Sequence, residues 1–284
     1  PVSGVQKIYC VFKARRAPAV DPSRDIGSWF AEVDEQNTTI WADFKGKDPN
    51  QELVEINARK AVFYPEKEGV DYITVSGFTM EQSANPWTAP TAEQIGLIGT
   101  HWSKGWIIED NTIRYSVCVG VTLGKHGDEH DHTYDYNNTT IPIAVKRGWS
   151  KQNIGSHIVR NNHIYNCGQG GIQGSLGCSF STITGNKIHD IRKDHNYGGC
   201  ETAGIKLHGA VDVLIERNHV YNCEHWGGIW LDWMAQGARV TRNLLHGNSQ
   251  DLMFEVNHGP HLVDNNLLLS RAYVTDASGG GAFV

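Results

Sequence analysis

Long hydrophobic runs are missing from this 284-residue sequence. No stretch approaches the roughly 18 apolar residues that a membrane span needs, and no charged, apolar, small-residue signal opens the chain. A dense Lys/Arg stripe is missing too. With 25 basic against 31 acidic residues and a net charge of -6, the chain is a poor match for nucleic acid or an anionic membrane, and neither partner is expected. The six cysteines, Cys10, Cys118, Cys167, Cys178, Cys200 and Cys223, form no CxxC pair and are too sparse for a disulfide scaffold, so a reduced, cytoplasmic setting is expected. The sequence has no initiator Met and stops at "SGGGAFV"; a leader or further domains are expected to lie outside it.

What is abundant is Gly (31), His (14) and Trp (9). Glycine suits a turn-rich β protein, and an exposed Trp commonly stacks on sugar rings. From about residue 105 one phrase recurs, an Asn followed two residues later by an aliphatic side chain: "EDNTI", "RNNHI", "TGNKI", "ERNHV", "TRNLL" and "DNNLL". The anchors are Asn111, Asn162, Asn186, Asn218, Asn243 and Asn266, at successive intervals of 51, 24, 32, 25 and 23. This is a period in the low twenties with insertions, the mark of a solenoid. Between anchors lie short β-type pieces such as "AGIKLHG" and "DVLIERN", none of helical length. Three strands per turn make a right-handed parallel β-helix, in which each Asn bonds its neighbours along a bend. Cys167 and Cys223 each follow their anchor at the same short interval and are read as interior fillers.

Before residue 55 the period is absent. "SWFAEVDEQNTTIWADFKGKDPNQELVEINAR" offers two or three alternating strands joined by polar turns. The expected organisation is therefore all-β: part of a β-sandwich over 1–55 and a parallel β-helix over 56–284. The solenoid is expected to start near "VFYPEKEGVDYITVSGFTM" and to be interrupted after Leu123 by an irregular loop. Long loops on a solenoid tend to gather on one face and build a binding site there.

Asp232 precedes the anchor Asn243 by the same interval, eleven positions, as Glu255 precedes Asn266. Stacked anchors put the two carboxylates at one place on successive rungs, about 5 Å apart at the spacing of parallel strands. That is near the separation of a retaining glycosidase pair, and shorter than the roughly 6.5–9.5 Å of an inverting one. Like charges so close raise one pKa, which suits a hydrolase needing one ionised and one protonated carboxyl. Trp230, Trp233 and His258 flank the pair. The alternative is two solvated acids on an outer strand face.

One rung earlier, Glu201, Lys206 and His208 surround a strand, as ligands for sugar hydroxyls or as a surface ion-pair group. "GTHWSKGW" adds His101 and Trp102, the Trp as packing or as a sugar platform. "HGDEHDH", residues 126–132, carries metal-capable groups without the spacing of a known site. It is read as a solvated or substrate-side loop, with a metal as the lesser alternative; no metal or cofactor is assigned.

The stretches "GIWLDWMAQG" and "QDLMFEVNHGP", whose carboxylates are one repeat apart, together with "AGIKLHGA", "NNHIYNC" and "IGTHWSKGWIIEDNTIRYS", resemble glycoside hydrolase family 120, the β-xylosidases, over roughly residues 30–284. The resemblance implies a right-handed parallel β-helix with an intervening β-sandwich. It also implies a retaining, exo-acting release of xylose from short β-1,4-xylo-oligosaccharides. By motif match Asp232 would be the nucleophile and Glu255 the general acid/base, while Glu201 would hydrogen-bond the sugar in the −1 subsite. Lys206, His208, Trp230 and His258 would line it. Only the last part of the sandwich is represented, and "SGGGAFV" falls inside what should be another rung; more protein, a homo-oligomer or another chain is expected to cover that edge. Alternatives are another pentosidase on this fold, such as an α-L-arabinofuranosidase, or a non-catalytic adhesive or glycan-binding β-helix.

Overall fold

The computed structural model describes residues 29–270, apart from 43, 45, 52–53, 55–56, 132–138 and 194–197. Two units separate, Pro1–Ile56 and Asn57–Val284. In the first, the strands Trp29–Val33 and Thr38–Ala42 pair antiparallel. The turn between them is set by Asp34, whose Oδ1 accepts the amides of Gln36 and Asn37 at 2.7 Å each.

The second unit is a parallel β-helix of three sheets, with 7, 7 and 6 strands among the described residues. One rung shows the plan. Leu214–Glu216 lies on face 1, His219–Cys223 on face 2 and Ile229–Asp232 on face 3, and each pairs in parallel with its counterparts above and below. The first named strand is Thr74–Ser76, inside the stretch where the sequence places the start of the solenoid.

The bend from face 1 to face 2 holds the asparagines. Asn111, Asn162, Asn186, Asn218 and Asn243 each give their backbone N–H to the Oδ1 of the next ladder Asn, at 2.9–3.1 Å. Each Nδ2 also reaches a carbonyl one rung back, as Asn218 does to Ile183 at 2.9 Å. The residue before each anchor is left-handed: Asp110, Asn161, Gly185, Arg217, Arg242 and Asn265. A side chain there costs about 1 kcal/mol or more, and the ladder bonds offset it. Inside, isoleucines and valines stack rung on rung, for example Ile113, Ile164, Ile188, Val220 and Leu245. Cys167 and Cys223 are buried fillers with Ile191 at the same place on the rung between them. Burial pushes the Cys167 thiol up to about 12, an inert state for a cysteine.

Face 3 differs from the other two. Outward side chains of faces 1 and 2 are partly exposed, whereas Gly170–Ser175, Ala203–His208 and Ile229–Asp232 are buried on both sides. Part of the cover is the segment 85–94. Gln169 exchanges two hydrogen bonds of 2.9 Å with the backbone of Thr88, and Ser175 Oγ donates to Pro90 O at 2.7 Å. The helix Ile141–Lys146, within the insertion after Leu123, packs Ala144 with Trp102, Ile154, Leu176 and Trp233.

Candidate active site

The polar side chains pointing outward from face 3 are few, and they converge. The register places His208 opposite Asp232 and Lys206 opposite Trp230. The next pair of strands aligns Leu231 with Phe254, which sets Glu255 beside Asp232, and the Glu255 amide donates to Leu231 O at 3.0 Å. The stacking expected from the two equal intervals is therefore present.

Asp232 is 7% exposed. Its Oδ2 lies 2.7 Å from His208 Nε2 and 3.0 Å from Lys206 Nζ, and its Oδ1 accepts the Trp233 amide at 2.7 Å. Burial alone would push this carboxyl up. The charges of His208 and Lys206 and the hydrogen bond from the Trp233 amide outweigh burial and hold it well below the usual carboxylate range. Glu255 moves the other way. Burial and then the Asp232 charge raise it, and the Lys206 charge only tempers the rise. The Trp230 indole N–H adds a further small tempering, although it completes no hydrogen bond of good geometry. Two neighbouring carboxyls thus have their proton affinities driven apart, the arrangement that separates an ionised nucleophile from a protonated acid.

Lys206 is 1% exposed and has three partners: the Glu201 carboxylate, Asp232, and the Trp230 ring, whose centroid is 2.9 Å from Nζ. Glu201 also lies 3.6 Å from His208 Nε2. Among the described residues, Glu201, His208 and Asp232 are the group whose ligand atoms, within 4.8 Å of one another, could hold a metal ion. The Lys206 ammonium already pairs with both of those carboxylates, so the cluster carries its own cation.

The sequence matches the family described as "Right handed beta helix region" over residues 95–283, two thirds of the chain, and "Glycoside hydrolase 120, insertion domain" over residues 4–56. The chain belongs to glycoside hydrolase family 120. Among solved structures it is similar to that of XylC in complex with xylose, with 49% identity over 90% of this chain and a TM-score of 0.84. The chain spans 41% of the length of that protein. A search of curated proteins gave no match.

Within this family 120 chain the residues picked out from sequence fall into two groups. Glu201, Lys206, His208, Trp230, Asp232 and Glu255 come together as described. Trp233 borders them, its ring 5.3 Å from that of His208. Trp102 is 3% exposed and packs with Leu176 and with Trp233, its indole N–H donating to Arg147 O at 3.4 Å. His258 is exposed on the turn after Glu255, where its amide bonds Ala235 O. Among the described residues no hydrogen bond or ion pair joins its imidazole to the cluster.

The 126–132 loop, read as solvated or substrate-side, is partly internal in its described part, 126–131. Lys125 is fully buried, 2.8 Å from Asp128 and 3.2 Å from Asp131, because its ammonium neutralises carboxylates that would otherwise need water. His132 lies outside the described residues. Sequence reading passed over Trp226, which packs on Trp230 with ring centroids 5.6 Å apart; the signal available was a Trp inside "EHWGG", at the turn into the Asp232 strand.

Proposed function

We propose that this chain carries the catalytic centre of a retaining β-xylosidase that releases xylose from the non-reducing end of short β-1,4-xylo-oligosaccharides. The observation that carries the reading is the Asp232–Glu255 pair, adjacent on neighbouring rungs and driven toward opposite protonation states. The 49% identity to a protein solved with xylose supports the sugar.

In this mechanism the ionised Asp232 attacks the anomeric carbon while protonated Glu255 gives its proton to the departing glycosidic oxygen. The bond to the leaving group breaks as an ester bond to Asp232 forms. Glu255, now a carboxylate, takes a proton from water, and the resulting hydroxide equivalent displaces Asp232 and frees xylose. Lys206 and His208 keep Asp232 charged in a site that would otherwise neutralise it. Glu201, held by Lys206, is the acceptor for sugar hydroxyls.

The test is mass spectrometry after reaction with a 2-fluoro-β-xyloside. An adduct on the peptide carrying Asp232 is expected, and labelling elsewhere would end the assignment. Asp232→Asn should lose activity on the order of 10⁴-fold or more. Glu255→Ala should lose about 10²–10⁴-fold on xylobiose, and far less on an aryl xyloside whose leaving group needs no proton.

A further inference from the structure

Beyond these carboxyls and the groups that charge them, the turn leading into the Asp232 strand is built to hold one side chain. Residues 224–228 connect His219–Cys223 to Ile229–Asp232 and are fastened from both sides. Thr202 Oγ1 lies 2.7 Å from His225 Nδ1, and the Gly204 amide donates to Gly227 O at 2.8 Å. From the next rung, Ser249 Oγ accepts the His225 amide at 3.1 Å and Gln250 O accepts the Gly228 amide at 2.7 Å.

The backbone these contacts enforce is unusual. His225 is left-handed at φ 76°, and Gly227 has φ 100°. A Cβ at Gly227 would lie 1.9 Å from Gln250 O, so only glycine fits. A non-glycine residue in this region persists where its surroundings over-determine it, and here four hydrogen bonds do so.

The side chain so presented is Trp226, partly exposed and packed on Trp230 at 48° between ring planes. Trp230 cannot itself offer a sugar platform, since it is 4% exposed and has the Lys206 ammonium over its ring. Trp226 has free surface. Trp226 packs on Trp230, and Trp230 is the indole that borders Glu255. Glu255 is where the leaving oxygen receives its proton, so the part of the substrate extending past it is the leaving group.

We propose that Trp226 is the stacking platform for the leaving-group sugar, binding a neutral pentopyranose or aromatic aglycone against its exposed ring. This rests on the β-xylosidase reading and extends it to the subsite that selects what is cleaved from xylose.

The experiment compares wild type, Trp226→Leu and Trp226→Phe on xylobiose and on β-xylosyl fluoride, whose leaving group is one atom and cannot stack. An aromatic contact of about 1–1.5 kcal/mol corresponds to about tenfold in affinity. Trp226→Leu should therefore lose about tenfold more kcat/KM on xylobiose than on xylosyl fluoride, mainly through KM, and Trp226→Phe should recover most of the difference. Equal losses on both substrates, or no loss on xylobiose, would overturn the assignment. The reading it rests on is judged separately: wild-type protein that hydrolyses neither substrate removes the β-xylosidase proposal itself.

Discussion

Lys206 is the residue on which the proton balance of the site turns. A fully buried ammonium is expensive unless paired, and this one has carboxylates on two sides and an aromatic face on a third. It lowers both Asp232 and Glu255. The proposed mechanism requires Asp232 ionised, lost as pH falls through its pKa, and Glu255 protonated, lost as pH rises through its own. Removing the cation in Lys206→Met raises both, so the whole kcat/KM bell should move toward alkaline pH. The acid limb should move by about one unit or more, because Asp232 is the directly contacted group. An unmoved acid limb would show that Lys206 does not set the charge of Asp232. Asp232, Glu255, Glu201, Lys206 and His208 were legible in sequence because strand register turns a residue count into a position. Trp226 was not, because a turn sets the direction of its side chain and no period governs it.

Among the elements, the asparagine bend is the most regular, and its strength differs from middle to end. Asn218 sits in the middle. Its Oδ1 takes the Asn186 amide and Nδ2, while its own Nδ2 reaches Ile183 O and Asn243 Oδ1. Asn218→Ala leaves several of these buried groups without partners, at about 1–3 kcal/mol for each orphaned group. Urea unfolding should show a loss of about 2–4 kcal/mol, and a smaller one for Asn266→Ala, the half-buried last anchor among the described residues. A neutral Asn218→Ala would mean that the strands alone set the bend. The ladder could be read directly from the spacing of the anchors. The covering of face 3 could not, since the 85–94 segment that bonds Gln169 and Ser175 has no periodic mark and meets them only two rungs later in the chain.

For the β-helix unit as a whole, acid is the expected weakness. His157 is fully enclosed and accepts the Trp106 amide on Nδ1 at 3.1 Å, which requires the neutral ring. Burial pushes its pKa down to about 3. His163 and His219 are lowered too, by burial and by a second imidazole 2.8 Å away in each case, His189 and His246. Folded pKa values below the unfolded value mean that the unfolded chain takes up protons first. Stability is full above about pH 6.5 and declines as pH falls toward 3. His157 alone contributes a slope of about 1.4 kcal/mol per pH unit in that window. Thermal melts from pH 7 to 4.5 should show a falling Tm, and His157→Gln should flatten the decline; an identical slope in that variant would place the acid sensitivity elsewhere. The hairpin at Asp34 could be anticipated from its polar turn between alternating strands. The buried Lys125 group could not, because a run of charges reads as solvated until its internal counter-ions are seen.

Asn111 and Asn162 are far apart in the chain, |i−j| = 51, yet meet at 3.1 Å, as tightly as Asn243 and Asn266 with |i−j| = 23. The frame therefore counts turns rather than residues, and what hangs between two anchors is invisible to it. The excursion from Gly124 to Asn153 therefore leaves the ladder's register untouched, while its own Lys125 is buried and its Ala144 ties it back to the rungs.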